Sequence, residues 1–470
     1  MKSTWCPNFA RPFFVTFASP SRPLRLKAFR PEIRTLPKSK ILALSIAVGV
    51  LAALTVSSVF AQSQQVSQPA NYFLFNLGTP LGGTSSAASS INREGWISGG
   101  ANLAGNATEH AVLWIGSELD LGTLGGPNST VAWPNHDNRG AIVGIAETAA
   151  LDPLGENWSC SAFFPSVTGH ICRGFVWQNG AMTALPTLGG NNGYAAGANN
   201  RGQAVGWAEN TVHDPTCVPP QVLQFEAVVW DTKSGHLQQL PPYSGDVDGA
   251  ATAVNDNGDV VGISGTCDNA VGEFTAAHAL LWHNGTPTNL GSLGGVAWNT
   301  PAAINDEGEV VGFSDLPGDE SGAPNFHAFL WTKSTGMQDL GTLAGDVMSI
   351  AYGINEAGQI VGQSIAADGS SRAFLWQNGV MTDLNTLTPP GSTLSLLYAN
   401  DINDHGEIVG QAYDSTTTDT PGFLAVPEYA NSEKAASTAR ENANLPKVVL
   451  PAAVRKQLLK HVGIADAGQK

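Results

Sequence analysis

The stretch that decides the fold runs from His327 to Ser364: HAFLW (327–331), GMQDLGTLAGD (336–346) and AYGINEAGQIVGQS (351–364). Its apolar pieces are short, rich in β-branched and aromatic side chains, and separated by Gly, Asn and Asp. None carries the i, i+3, i+4 spacing of an amphipathic helix. The same pieces recur in the same order. The leucine of the LG element, or its equivalent, stands at Leu77, Leu121, Leu185, Leu240, Leu290, Leu340 and Leu384. The Asn of the IN element, once Asp, stands at Asn92, Asp137, Asn199, Asn255, Asn305, Asn355 and Asn403. The glycine closing VVG follows each at the same interval, at Gly99, Gly144, Gly206, Gly262, Gly312, Gly362 and Gly410. A constant interval inside a variable repeat marks a rigid unit.

That unit reads as a β-hairpin. INDEGEVVG (304–312) is a β-branched approach, an Asn/Asp-rich turn with Gly, and a β-branched exit. AFLW and MxDLG form a second hairpin, with QNG (178–180, 377–379) and HNG (283–285) as its turns. Four short strands, seven times over, predict an all-β, seven-bladed β-propeller of four-stranded antiparallel blades across 71–427. An open solenoid is the alternative. A single blade cannot bury both faces, so Trp114, Trp177, Trp230, Trp282, Trp331 and Trp376 are expected to pack between blades. Two closures remain open. Gly422–Ala425, an AFLW-like strand, either supplies the strand missing before Asn71 and closes the ring between blades, or ends a blade already whole.

Alternating strand direction sorts the turns onto two faces. The IN-x-x-G and QNG turns share one, and the GTLGG loops and VVG-to-AFLW connections share the other. From the VVG glycine to the AFLW Trp, or its equivalent, the intervals are 15, 33, 24, 20, 19, 14 and 15 residues, so insertion concentrates on the second face. Variable loops on a rigid scaffold are where binding resides. Cys160, Cys172, Cys217 and Cys267 all lie in those loops. An even count without metal spacing predicts disulfides, paired 160–172 and 217–267 as local or adjacent-blade partners. The constant-turn face collects Glu94, Asp137, Asp256, Asp259, Asp306, Glu307, Glu309, Glu356, Asp404 and Glu407. These read as solvated turns, or as a ring for a cation or basic partner. Asn255–Asp259 resembles the start of a calcium loop but lacks its downstream bidentate Glu. No cofactor is expected, with calcium as the alternative.

Residues 1–61 differ in kind. A basic stretch ending at Lys40 precedes the uncharged run Ile41–Phe60, and Val59-Phe60-Ala61 has small residues at the −3 and −1 positions. This predicts a secretory signal cleaved after Ala61, with an uncleaved anchor as the alternative and 62–70 as a linker. The net charge of −16 therefore divides unevenly. Residues 63–427 hold seven basic and 34 acidic residues. That balance excludes nucleic acid as a main partner. The tail, 428–470, reads as a flexible linker and then a short amphipathic helix over 451–462, with Val454, Leu458, Leu459 and Val462 as its apolar stripe. It docks on its own propeller or meets a partner or anionic surface.

No HExxH, GxxxxGK[ST], GxSxG or helix-coupled GxGxxG occurs. His110, His278 and His327 precede AFLW where other copies have Arg173, Glu226 and Arg372, which fits a polar strand edge. No catalytic residue is assigned. The unit HAFLW…DLGTLGG…IN…G…VVG resembles the HAF-repeat family of bacterial extracellular proteins. The resemblance covers 71 to about 427 and implies export and a repeat fold, with no catalytic residues to carry over. The fourth copy departs with LPPYSG (240–245) and the seventh with LNTLTPP (384–390). The expected function is a secreted, non-catalytic module that binds an extracellular glycan or protein through the variable-loop face. A propeller enzyme acting on polysaccharide and a structural envelope or matrix protein are the alternatives.

Overall fold

The computed structural model describes residues 71–156, 160, 162–267, 273–318, 325–428 and 450–461. The expected signal, its cleavage site and the linkers at 62–70 and 432–444 lie outside the described residues. Seven four-stranded antiparallel sheets form a β-propeller. In the sixth blade the strands are Met348–Ile354, Ile360–Ile365, Ser371–Gln377 and Val380–Asp383, hydrogen-bonded in that order. The IN element thus supplies the inner strand, VVG the second, AFLW the third and MxD the outer strand.

This order bears out the pairing of the first expected closure and corrects where it falls. Gly422–Glu428 does meet Asn71–Gly78, from Asn71 opposite Glu428 to Gly78 opposite Gly422. The sheet they join also contains Leu394–Ile402 and Ile408–Asp414, so the ring closes inside the seventh blade. The first strand of the propeller is the outer strand of its last blade. Burial explains the phase. The VVG strand Ile360–Ile365 is buried along its whole length, whereas the outer strand Val380–Asp383 has no buried residue. Apolar strands take the middle of a sheet and the short polar piece takes the rim.

The core lies between blades. Val205, Ala227 and Leu240 of the third blade pack with Ala251, Val254, Val260, Leu280 and Trp282 of the fourth. Trp230 and Trp282 are almost wholly buried, and their Nε1 groups donate to the carbonyls of Pro186 and Pro241. The two glycine sets have different causes. The turn glycines, such as Gly308 at φ 79° and Gly358 at φ 68°, need the left-handed region. The VVG glycine lies against the inner strand where its register shifts, between Ala351 and Gly353 in the sixth blade. A Cβ on Gly362 would fall onto the Ile350 carbonyl oxygen, and one on Gly312 onto that of Thr300.

An α-helix, Ala452–His461, follows Pro451 as expected. Leu450 and Leu458 are buried against the propeller, with Val454 partly so. The expected docking onto the chain's own propeller is therefore what the structure holds. The side chains of Leu459 and Val462 lie outside what is described.

Candidate binding face

The constant-turn face is interlocked. In each turn the Asn side-chain oxygen accepts amides of its own turn, as Asn255 Oδ1 does from Asn257 and Asp259. Its Nδ2 donates to the carbonyl of the equivalent Asn in the next blade: Asn199 to Asn255 at 2.8 Å, Asn255 to Asn305 at 3.0 Å, Asn355 to Asn403 at 3.0 Å and Asn403 to Asn92 at 3.1 Å. The following residue runs a second ring. The amide of Asn200 donates to Asp256 Oδ1, that of Asp256 to Asp306, that of Asp306 to Glu356 and that of Glu356 to Asp404. Where the second ring meets the seam, the Arg93 guanidinium takes Asp404 Oδ2 at 2.6 Å. Burial opposes the charge on Asp404, but Arg93 and the Glu356 amide outweigh it and hold the carboxyl below its ordinary range.

The expected acidic ring is thus largely a set of hydrogen-bond acceptors between blades. Asp256, Asp306, Glu356 and Asp404 each bind a neighbour's amide. Glu309 and Glu407 accept from Asn305 and Asn403 of their own turns, and Asp259 meets His283. Glu307 lines an open groove of about 610 Å³ with Glu309, Lys333 and Glu356, while Glu94 is exposed.

Asp137 breaks the first ring. Its carboxylate accepts from Arg139 and Ala141 within its own turn but has no hydrogen to give the Asn199 carbonyl. Burial raises its pKa above the ordinary value. Asp137→Asn is expected to complete the ring and to raise unfolding free energy by about 1 kcal/mol. A raised folded-state pKa means stability lost as pH rises, so the gain should be larger at pH 8 than at pH 5 in denaturant titrations. An unchanged midpoint at both values would refute the missing link.

The seam carries a further pair. His136 Nε2 lies 3.2 Å from the buried Asp401, which also accepts the Ile91 amide. Burial lowers the His136 pKa, yet Asp401 outweighs it and the net shift is upward. Seventh, first and second blades are thereby tied together. The histidines before AFLW behave as a polar edge: His110 and His327 bond Asp120 and Asp339 on the outer strand, and His278 bonds Asp246. Arg372 in the same position pairs with Asp346 and Asp383.

The variable-loop face has another character. Cys160 pairs with Cys172, and Cys217 with Cys267. Among the described residues, the one grouping of potential metal ligands, Glu147 with Cys160 and Cys172, has both sulfurs in a disulfide. Beneath these loops lie acids that sequence reading did not single out. Asn128 accepts the Glu109 amide and donates to Glu147, and Asn192 accepts the Cys172 amide and donates to Glu209. Asp248 stands in the same place in the fourth blade and accepts the Phe225 amide. Burial, then the nearby Asp214 and Glu226, push its pKa up to about 8. Burial likewise pushes Glu209 and Glu226 to about 7. The substitution of Asp248 for the Asn of the two preceding blades was the available signal.

Side-chain exposure distinguishes the faces most clearly. Among the described residues the exposed large hydrophobics include Leu151, Leu154, Val167, Val212, Phe274, Val296 and Val347. All seven belong to VVG-to-AFLW connections or GTLGG-type loops, and so to the variable-loop face. The constant-turn face contributes three, Trp96 and, at the turns between third and outer strands, Ile115 and Val380.

No protein-family model and no curated protein matches the chain. Among solved structures, it is similar to dipeptidyl peptidase 4 of Porphyromonas gingivalis (11% identity, 74% of this chain and 46% of that one, TM-score 0.30). It thus spans less than half of that protein's length. It is also similar to TolB of Acinetobacter baumannii (11% identity, 76% and 66%, TM-score 0.32). A third likeness is the six-bladed fucose-recognising lectin of Aleuria aurantia (10% identity, 76% and 99%, TM-score 0.30). The blade count rests on the strand pairing and not on these likenesses.

Proposed function

We propose that the chain is an exported, non-catalytic binding module that engages an extracellular glycan or protein through its variable-loop face, and that it belongs with the HAF-repeat proteins its repeat resembles. The observation that carries the reading is the concentration of exposed apolar side chains on that face. Exposed apolar side chains that gather on one face and not the other mark that face as the candidate interaction surface. The two disulfides support an oxidising compartment, in keeping with a signal cleaved after Ala61. An enzyme would draw on Glu209, Glu226 and Asp248, whose protons sit near neutrality. These carboxylates are at most 6% exposed and bond to backbone and amide groups, which favours an internal role.

A panel of envelope glycans and defined secreted proteins, assayed with product detection, tests the reading. Val167→Asp with Val212→Asp is expected to weaken the ligand found by about tenfold or more, as loss of interface anchors does. Trp96→Ser on the opposite face should leave it unchanged. Turnover of a ligand, or insensitivity to the paired substitution, would sink the proposal.

A further inference from the structure

The helix Ala452–His461 lies over the variable-loop ends of the fifth to seventh blades. Leu450, Val454 and Leu458, spaced i, i+4, i+8, enter a cluster with Phe313, Phe326, Tyr352, Tyr398, Tyr413 and Trp298. The equivalent ends of the second to fourth blades have an aromatic cluster of their own, Phe164, Tyr194, Trp207 and Phe225, but it is packed with the disulfide cysteines Cys160, Cys172 and Cys267.

The hold on the helix is weak. A ten-residue helix is marginal by itself in water. Arg455 meets Asp368 at 3.3 Å, with the carboxylate 61% exposed, the kind of surface pair that contributes little. The helix carries Arg455, Lys456 and Lys460 and no acid, so its attraction to an acidic propeller is long-range and screened by salt.

The surface beneath is larger than the helix needs. Val296, two residues before Trp298, is 52% exposed, and Val347, beside Met348, is 45% exposed. Trp298 is held at φ 52°, an uncommon conformation for a side-chain-bearing residue. Its Nε1 is buried without a hydrogen-bond partner.

We infer that this aromatic groove is a docking site for a basic amphipathic helix. The chain's own tail fills it in cis, and a partner segment with the same apolar spacing and a flanking cation displaces it. The inference rests on the binding-face reading above and names one part of that face and its partner class. Tethering gives the tail a millimolar-range effective concentration, so a free helix meets a groove that is mostly occupied.

The test uses the full chain and a fluorescent peptide of residues 449–463. The full chain carrying Leu458→Asp is expected to bind the wild-type peptide about tenfold or more tighter than the wild-type chain does. A peptide carrying Leu458→Asp should bind neither. Arg455→Glu in the full chain, a surface change, should give an intermediate gain, and it decides the matter if the Leu458 variant unfolds early. Equal binding by wild-type and variant chains, or no binding by variants whose Tm stays within about 2 °C of wild type, overturns the inference. Peptide capture without any external ligand would leave the groove standing and remove the broader reading. An external ligand lost with Val167→Asp and Val212→Asp, with no peptide capture, would do the reverse.

Discussion

A chain lacking residues 71–80 is expected to lose its cooperative unfolding transition, or to lose about 5 kcal/mol or more, most of a domain's usual stability. Asn71–Gly78 pairs along its length with Gly422–Glu428. Tyr72 is buried in one cluster with Leu396, Phe423 and Ala425. Removing the strand strips a whole ladder, uncovers those side chains and leaves Gly422–Glu428 as a bare edge, which is a template for aggregation. It also opens a ring whose blades are stitched to one another by turn hydrogen bonds. A synthetic peptide of residues 69–80 added in trans should restore part of the loss. Phe73→Ser and Phe75→Ser, at positions 51% and 52% exposed, should cost far less. An unchanged denaturation midpoint after truncation would show that closure lies elsewhere.

The second large effect is on pH. The domain should be several kcal/mol more stable at pH 5 than at pH 8.5. Asp248, fully buried, has a folded-state pKa of about 8 against an ordinary 3.8. A raised folded-state pKa means the folded protein holds the proton more tightly. The stabilisation is complete below about pH 4 and is lost as pH rises through 8. Between pH 5 and 8.5 the Asp248 share of the loss is on the order of 4 kcal/mol, since about three of the tenfold steps fall in that window and each is worth about 1.4 kcal/mol. Glu209 and Glu226, near 7 against an ordinary 4.5, add loss in the same direction over a narrower window. The physical picture is a protonated Asp248 that imitates Asn128 and Asn192, one oxygen accepting the Phe225 amide while the other is buried without a partner, where a proton costs less than a charge. Asp248→Asn should keep the bond to Phe225 and flatten the profile by about one proton. Stability that holds level or climbs between pH 5 and 8 would contradict the assignment.

The position of Asp248 shows how far local reading reaches. The strands, the turn glycines and the two faces were legible because each depends on a few adjacent residues. QNG at 377–379 is a tight hairpin turn in any context, and Asn378 and Gly379 indeed have positive φ. The role of Asp306 was not legible. It looks like a solvated turn acid until the amide of Asp256, 50 residues earlier, is found bonded to it. Nor could composition distinguish Glu209 from any surface acid, since its burial comes from loops of the second and third blades folding over it.

By itself the sequence determined the repeat, its strand content, seven blades and the face on which loops vary. These follow from periodicity and turn chemistry, which act over short range. Only the tertiary structure decided which strand closes the ring, because the partner of Asn71–Gly78 lies more than 340 residues away and either phase satisfies the local pattern. The same holds for the acids turned into links between blades, the carboxylates that keep their protons, and the tail helix seated over Tyr352, Tyr398 and Tyr413. Each arises from burial and partners that exist only once distant blades have met.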